Sequence, residues 1–130
     1  MATHKQVNYQ DLEPVSGAMR MLSDSLDSRQ VGVSVVRCDP GWRNKPHGHA
    51  ENGHEEIYLL LEGQATVVID DEHVEMESGD AVWIPPSSTR QIRNSDMESA
   101  FVLVSAPASR CVAATCEGEE DFWSTEGFVG

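Results

Sequence analysis

Three observations predict an all-β fold, a sandwich or a barrel, for this 130-residue chain. Short apolar or β-branched runs recur through its middle. Turn residues separate those runs every several positions. No apolar period near 3.6 lasts long enough to mark a substantial helix. By length the chain is one domain, large enough to bury roughly two-thirds of its unfolded surface without disulfides.

Taken in order, residues 1–18 are polar and aperiodic, with Gly17 as punctuation. Arg20 to Leu26 (RMLSDSL) reads equally as a short strand or a turn of helix. Val31 to Cys38 (VGVSVVRC) alternates and is β-branched, a strand stopped by the turn chemistry of Asp39-Pro40-Gly41. Lys45 to His49 fits a short extended piece. Glu56 to Leu61 (EIYLLL) is apolar on both faces, as in a strand covered on both sides. Gln64 to Ile69 is another strand, and Asp70-Asp71 turns the chain into His73 to Glu77. There Val74 and Met76 share one face, and His73, Glu75 and Glu77 the other. Ser78-Gly79-Asp80 turns it again into Ala81 to Ile84, which Pro85-Pro86 ends. Thr89 to Arg93 and Ala100 to Ser105 complete a set of about eight strands.

Charge narrows the partners. With 22 acidic against 9 basic residues the net charge is −13, a surface that repels nucleic acid and anionic membranes. Lys5 and Lys45 are the only lysines. An acid-rich, lysine-poor chain is the pattern of proteins that work in molar salt, where screening removes self-repulsion. The three cysteines, Cys38, Cys111 and Cys116, are odd in number and form no C-x-x-C, which fits a reducing compartment. The polar start has no apolar signal region, and no run is long enough to span a bilayer. A cytoplasmic protein is the expectation.

The stretch Lys45 to Gly63, KPHGHAENGHEEIYLLLEG, holds three of the five histidines. His47 and His49 lie two apart, so on an extended piece their imidazoles share a face. Glu56 opens the next strand, on a face that continues through Tyr58 and Leu60. If the two pieces are neighbours, two imidazoles and a carboxylate converge. That ligand set suits a divalent transition metal with open positions.

At these residues the sequence resembles the cupin family, over roughly Val31 to Ala106. Gly41 is followed by WRNKP and then His47-Gly48-His49; Glu56 is followed by IYLLLE and then Gly63. These match the family's first motif. Gly79 is followed by DAVWI and then Pro85, and Asn94 also matches the second motif. The resemblance implies a single-domain jelly-roll β-barrel over 31–106. Residues 1–30 would then be an N-terminal segment packing on it. Residues 107–130 would be a tail whose aromatics Phe122, Trp123 and Phe128 dock on the barrel or on a second subunit. It also implies a metal in the cavity, held by His47, His49 and Glu56.

Two departures stand out. Six residues, AENGHE, separate His49 from Glu56 where the family usually has three or four, and a loop around Asn52-Gly53 is expected to absorb them. Ser87 replaces a glycine, and Arg90 stands where the family's fourth ligand, a histidine, would be. Arginine has no lone pair to offer and stays protonated. At about 4 Å it repels a divalent ion by several kcal/mol at intermediate dielectric.

Three readings follow. The remaining three ligands hold a metal (iron, manganese, nickel, copper or zinc), with Arg90, and Tyr58 beside Glu56, binding a small anionic substrate in dioxygenase- or isomerase-like chemistry. Or the barrel is metal-free, with Arg90 forked onto Glu56 in a bidentate pair, and it binds a small anion without catalysis. Or the polar cavity is a remnant within an interaction or storage module. His54 is a further ligand candidate, although its place beside the loop favours a solvent-facing side chain.

The other candidates read more plainly. His4 and His73 are expected at the surface. Tyr58 suits a core position as well as a cavity wall. Trp42 is expected at the barrel mouth and Trp83 in the core or an interface. Cys38 reads as a small buried hydrophobe. Ile57, Leu59 and Leu61 form a second apolar face that needs a cover. The N-terminal segment, the tail or a second subunit could supply it, and a homodimer is predicted.

Overall fold

The computed structural model describes residues 4–51 and 53–107. After a 3-10 turn at Tyr9–Asp11, the elements are β1 (Met19–Met21), α1 (Leu22–Leu26), β2 (Gly32–Cys38), β3 (His54–Glu62), β4 (Gln64–Ile69), β5 (Glu72–Glu77), β6 (Ala81–Ile84), β7 (Arg90–Asn94) and β8 (Ser99–Pro107). A five-stranded sheet in the order β1-β2-β8-β3-β6 faces a three-stranded sheet in the order β5-β4-β7. All pairings are antiparallel, and the architecture is the expected all-β jelly roll.

Period-two burial builds the core. Val36, Tyr58, Leu60, Val67, Ile84, Ile92 and Phe101 are all 0% exposed and meet between the sheets. On β5, Met76 is buried while His73, Glu75 and Glu77 are exposed, as the alternation predicted. Cys38 is also buried, and burial pushes its thiol up to about 11.

The ambiguous stretch Arg20 to Leu26 is both of the things it resembled. Met19–Met21 pairs with β2, Met19 opposite Val36, and one turn of helix follows. Asp27 then ends the turn in a left-handed conformation at φ 53°. The N-terminal segment therefore extends the larger sheet at its edge.

Two motif residues turn out to hold the frame. Gly63, between β3 and β4, has φ +90°, and a Cβ there would sit 2.5 Å from the Glu98 carbonyl oxygen. Only glycine fits that approach. The Asn94 amide donates to the carbonyls of Asp39 and Met97, both at 2.8 Å, and its Oδ1 accepts from Ser99 Oγ at 2.7 Å. One side chain thus ties the end of β7 to the turns after β2 and before β8.

The second apolar face lies on the outside of the larger sheet. Ile57 and Trp83, cross-strand partners, are 43% and 56% exposed, and Leu61 is 49% exposed. Trp83 is therefore not a core residue; its indole donates to Glu55 Oε1 at 2.8 Å. The described N-terminal residues, 4–18, leave these three side chains exposed. The docking aromatics Phe122, Trp123 and Phe128 lie outside the described residues, as do Cys111 and Cys116. No helix among the described residues is long and apolar enough to cross a membrane.

Candidate metal centre

Two elements bring the site together. The extended piece before β3 runs beside the start of β7: His47 N donates to the Arg90 carbonyl at 3.0 Å, and Arg90 N donates to the His47 carbonyl at 2.7 Å. His49 N donates to the Pro86 carbonyl at 3.0 Å. These bonds hold both imidazoles at the barrel interior, 6% and 2% exposed. From β3, alternation sends Glu56 and Tyr58 inward and Glu55 and Ile57 outward. The donor atoms of His47, His49 and Glu56 then lie within 4.8 Å of one another.

The hub is one oxygen. Glu56 Oε1 lies 3.4 Å from His49 Nε2 and 3.6 Å from Arg90 Nη1, and it accepts a long hydrogen bond from the Tyr58 hydroxyl at 3.4 Å. Burial by itself raises the Glu56 pKa, but the contact with His49 and the charges of Arg90 and His47 more than offset it. The carboxyl is held below its ordinary range and stays ionised at neutral pH. Tyr58 goes the other way: burial and the adjacent carboxylate push it well above 10, so it remains a proton donor toward Glu56. Burial lowers the His47 pKa, a shift that Glu56 partly opposes. His47 is thereby kept neutral, the form that offers a lone pair.

Arg90 is wholly enclosed, at 0% exposure. The bidentate fork onto Glu56 is not formed. One guanidinium nitrogen faces the carboxylate, too far for a hydrogen bond, and Nη2 donates instead to the Pro85 carbonyl at 2.8 Å. The chain's reversal at Pro85-Pro86 sets that carbonyl across the guanidinium and takes the second arm of the fork. Nε and Nη1 have no hydrogen-bond partner.

The solvent-facing His54 expected from the sequence is overturned. His54 is 1% exposed, and its ring stacks on His49 with centroids 5.4 Å apart and planes 28° apart. The reason is local. β3 begins at His54, two residues before Glu56, so strand alternation puts both on the inner face. Just before His54, Gly53 N donates to the His49 carbonyl at 2.7 Å. Extending the inward period back from Glu56 would have found His54 in the sequence.

The residues fit a divalent metal. Neither ring nitrogen of His49 makes a hydrogen bond; Nε2 faces the Glu56 carboxylate at 3.4 Å, and either nitrogen could take a coordinate bond. Two imidazoles and one ionised carboxylate could hold a divalent transition metal. Glu56 also borders a cavity of about 20 Å³ shared with Ser34, Ser105 and Met21, room for about one water.

Comparisons with known proteins agree with this architecture. Residues 34–106 match the family described as Cupin domain. A cupin protein from Bacteroides fragilis superposes with a TM-score of 0.72 at 27% identity, over 85% of this chain and 89% of that one. A sugar phosphate isomerase from a cupin superfamily, from Silicibacter pomeroyi, gives 0.65 at 20% identity, over 78% of this chain and 75% of its own. A predicted oxalate decarboxylase from Thermotoga maritima gives 0.65 at 19% identity, over 79% and 99%; at these identities the likeness is one of fold. An uncharacterized protein of Methanocaldococcus jannaschii is 39% identical over 46 residues, which is 35% of this chain and 37% of that protein's length.

Proposed function

The chain belongs to the cupin family, and from that premise we propose that it binds a divalent transition metal through His47, His49 and Glu56 and acts on a small anionic molecule. The observation that carries the reading is the convergence of three buried donors within 4.8 Å of one another. A bound divalent ion supplies Lewis acidity or a redox centre. Dioxygenase- or isomerase-like chemistry suits that supply. The names of the Silicibacter and Thermotoga proteins support an enzyme by analogy of fold.

The chain's own residues have separable tasks. Glu56 stays charged under the pull of its neighbours. Tyr58 keeps its proton and directs it at Glu56 Oε1. Arg90 offers Nε and Nη1, both without hydrogen-bond partners, to a substrate carboxylate or phosphate. Its burial means the anion must be small or reach it through the barrel.

A second reading is favoured by the ion pair itself. At 3.6 Å, with both partners withdrawn from water, Arg90 and Glu56 already neutralise each other. A metal-free cavity would bind a small anion without catalysis. Elemental analysis of the purified, untagged protein beside an Arg90→His variant separates the two. Near-stoichiometric metal in the native protein supports the metal centre. Metal in Arg90→His alone supports the metal-free cavity.

A homodimer that buries the Ile57, Leu61 and Trp83 face, a cytoplasmic location and adaptation to high salt complete the proposal.

A further inference from the structure

We propose that His54 is a fourth protein donor of the metal centre, beside His47, His49 and Glu56. The proposal rests on the metal reading above and deepens it: the centre becomes three imidazoles and one carboxylate.

Placement is the first argument. His54 and Glu56 are two apart on β3, share the inner face, and are 1% and 7% exposed. The Gly53 N to His49 carbonyl bond, at 2.7 Å, brings the start of β3 back to His49, and the His54 ring stacks on it. The segment that lengthens the loop is thus the segment that delivers a third imidazole into the barrel.

Distance is the second. Two imidazoles bound to one ion at ~2.1 Å put their ring centroids roughly 4.5–5.5 Å apart. The observed separations are 5.2 Å for His47–His49 and 5.4 Å for His49–His54, both in that range. The tightest donor set is His47, His49 and Glu56; His54 lies against His49 at its edge.

Chemistry is the third. A neutral imidazole offers a nitrogen lone pair that a divalent transition metal takes readily. A fourth neutral donor also helps offset the guanidinium of Arg90, which sits 3.6 Å from Glu56 Oε1 and opposes any cation there. Three nitrogens to one oxygen select zinc, cobalt, nickel, iron or copper over magnesium and calcium, which take oxygen ligands.

Cobalt(II) is the probe. Chelator-stripped native protein, His54→Asn and the surface control His73→Asn are each titrated with cobalt chloride, following the visible d–d bands. Native protein and His73→Asn should bind alike. His54→Asn should bind at least tenfold more weakly with an altered spectrum. Native affinity and spectrum in His54→Asn overturn the fourth donor and leave the three-ligand centre standing. No cobalt uptake by the native protein overturns both. A second measurement needs no variant: proton NMR of the cobalt-loaded native protein should show three hyperfine-shifted, exchangeable imidazole N–H signals. Two such signals overturn the proposal.

Discussion

The Arg90 guanidinium stands 3.6 Å from Glu56 Oε1, with side-chain exposures of 0% and 8%, and the two do not hydrogen-bond. The carboxylate is therefore committed to a neighbouring cation by charge rather than by geometry. It remains shareable, by an ion or by a substrate anion that draws the guanidinium away.

Removing the negative partner should be costly. Glu56→Gln leaves the Arg90 cation buried beside a neutral amide, and breaking a buried pair in this way costs about 3–5 kcal/mol. Glu55→Gln, on the outer face of the same strand, should change stability by no more than about 1 kcal/mol. Urea denaturation of the metal-free proteins checks both; equal effects would mean that the buried pair contributes nothing special.

Removing the positive partner should help metal. Arg90→His replaces a repelling cation with a neutral donor, and affinity for zinc or cobalt should rise at least tenfold by calorimetry. His47→Ala and His49→Ala should each abolish near-stoichiometric binding. Unchanged affinity in Arg90→His would place the guanidinium's influence elsewhere.

Acid should destabilise the metal-free fold through its histidines. Burial, reinforced by His49, lowers the His54 pKa to about 4 from an unfolded value of about 6.5. Between those values the unfolded chain binds the extra proton, so stability falls as pH drops through that window. His47, lowered by burial, acts in the same direction. Glu56, held below its ordinary range, adds a further loss at lower pH. Denaturation midpoints from pH 7 to 4 should decline less steeply in His54→Phe, and an identical slope would exclude His54 as the source.

The outer face should make a partner interface. Trp83→Glu places a charge among Ile57, Leu61 and their neighbours, and it should convert a dimer to a monomer by light scattering at working salt. A native protein that is already monomeric would remove the homodimer from the proposal.

Salt should act on the whole chain. At a net charge of −13, self-repulsion opposes compaction, and molar potassium chloride should raise the melting temperature. Full stability at low salt would count against the high-salt reading.

The strands, their inward faces and the three donors that converge could be read from the sequence. Each is written in local order: period-two alternation, turn residues, and a His-x-His spacing followed by a glutamate. Even Cys38 was legible, since a small apolar side chain at an inward position is buried wherever the strand goes. Residues whose role depends on what lies across the barrel could not be read this way. Arg90 could have forked onto Glu56, but the Pro85 carbonyl, brought over by the reversal at Pro86, captured one arm of the guanidinium. Trp83 could have been core, but its strand pairs at the sheet edge, facing outward opposite Ile57. His54 looked like a loop residue because strand ends are set by cross-strand partners. Its pairing with Pro107 carries β3 two residues further back and turns the imidazole from solvent into the barrel.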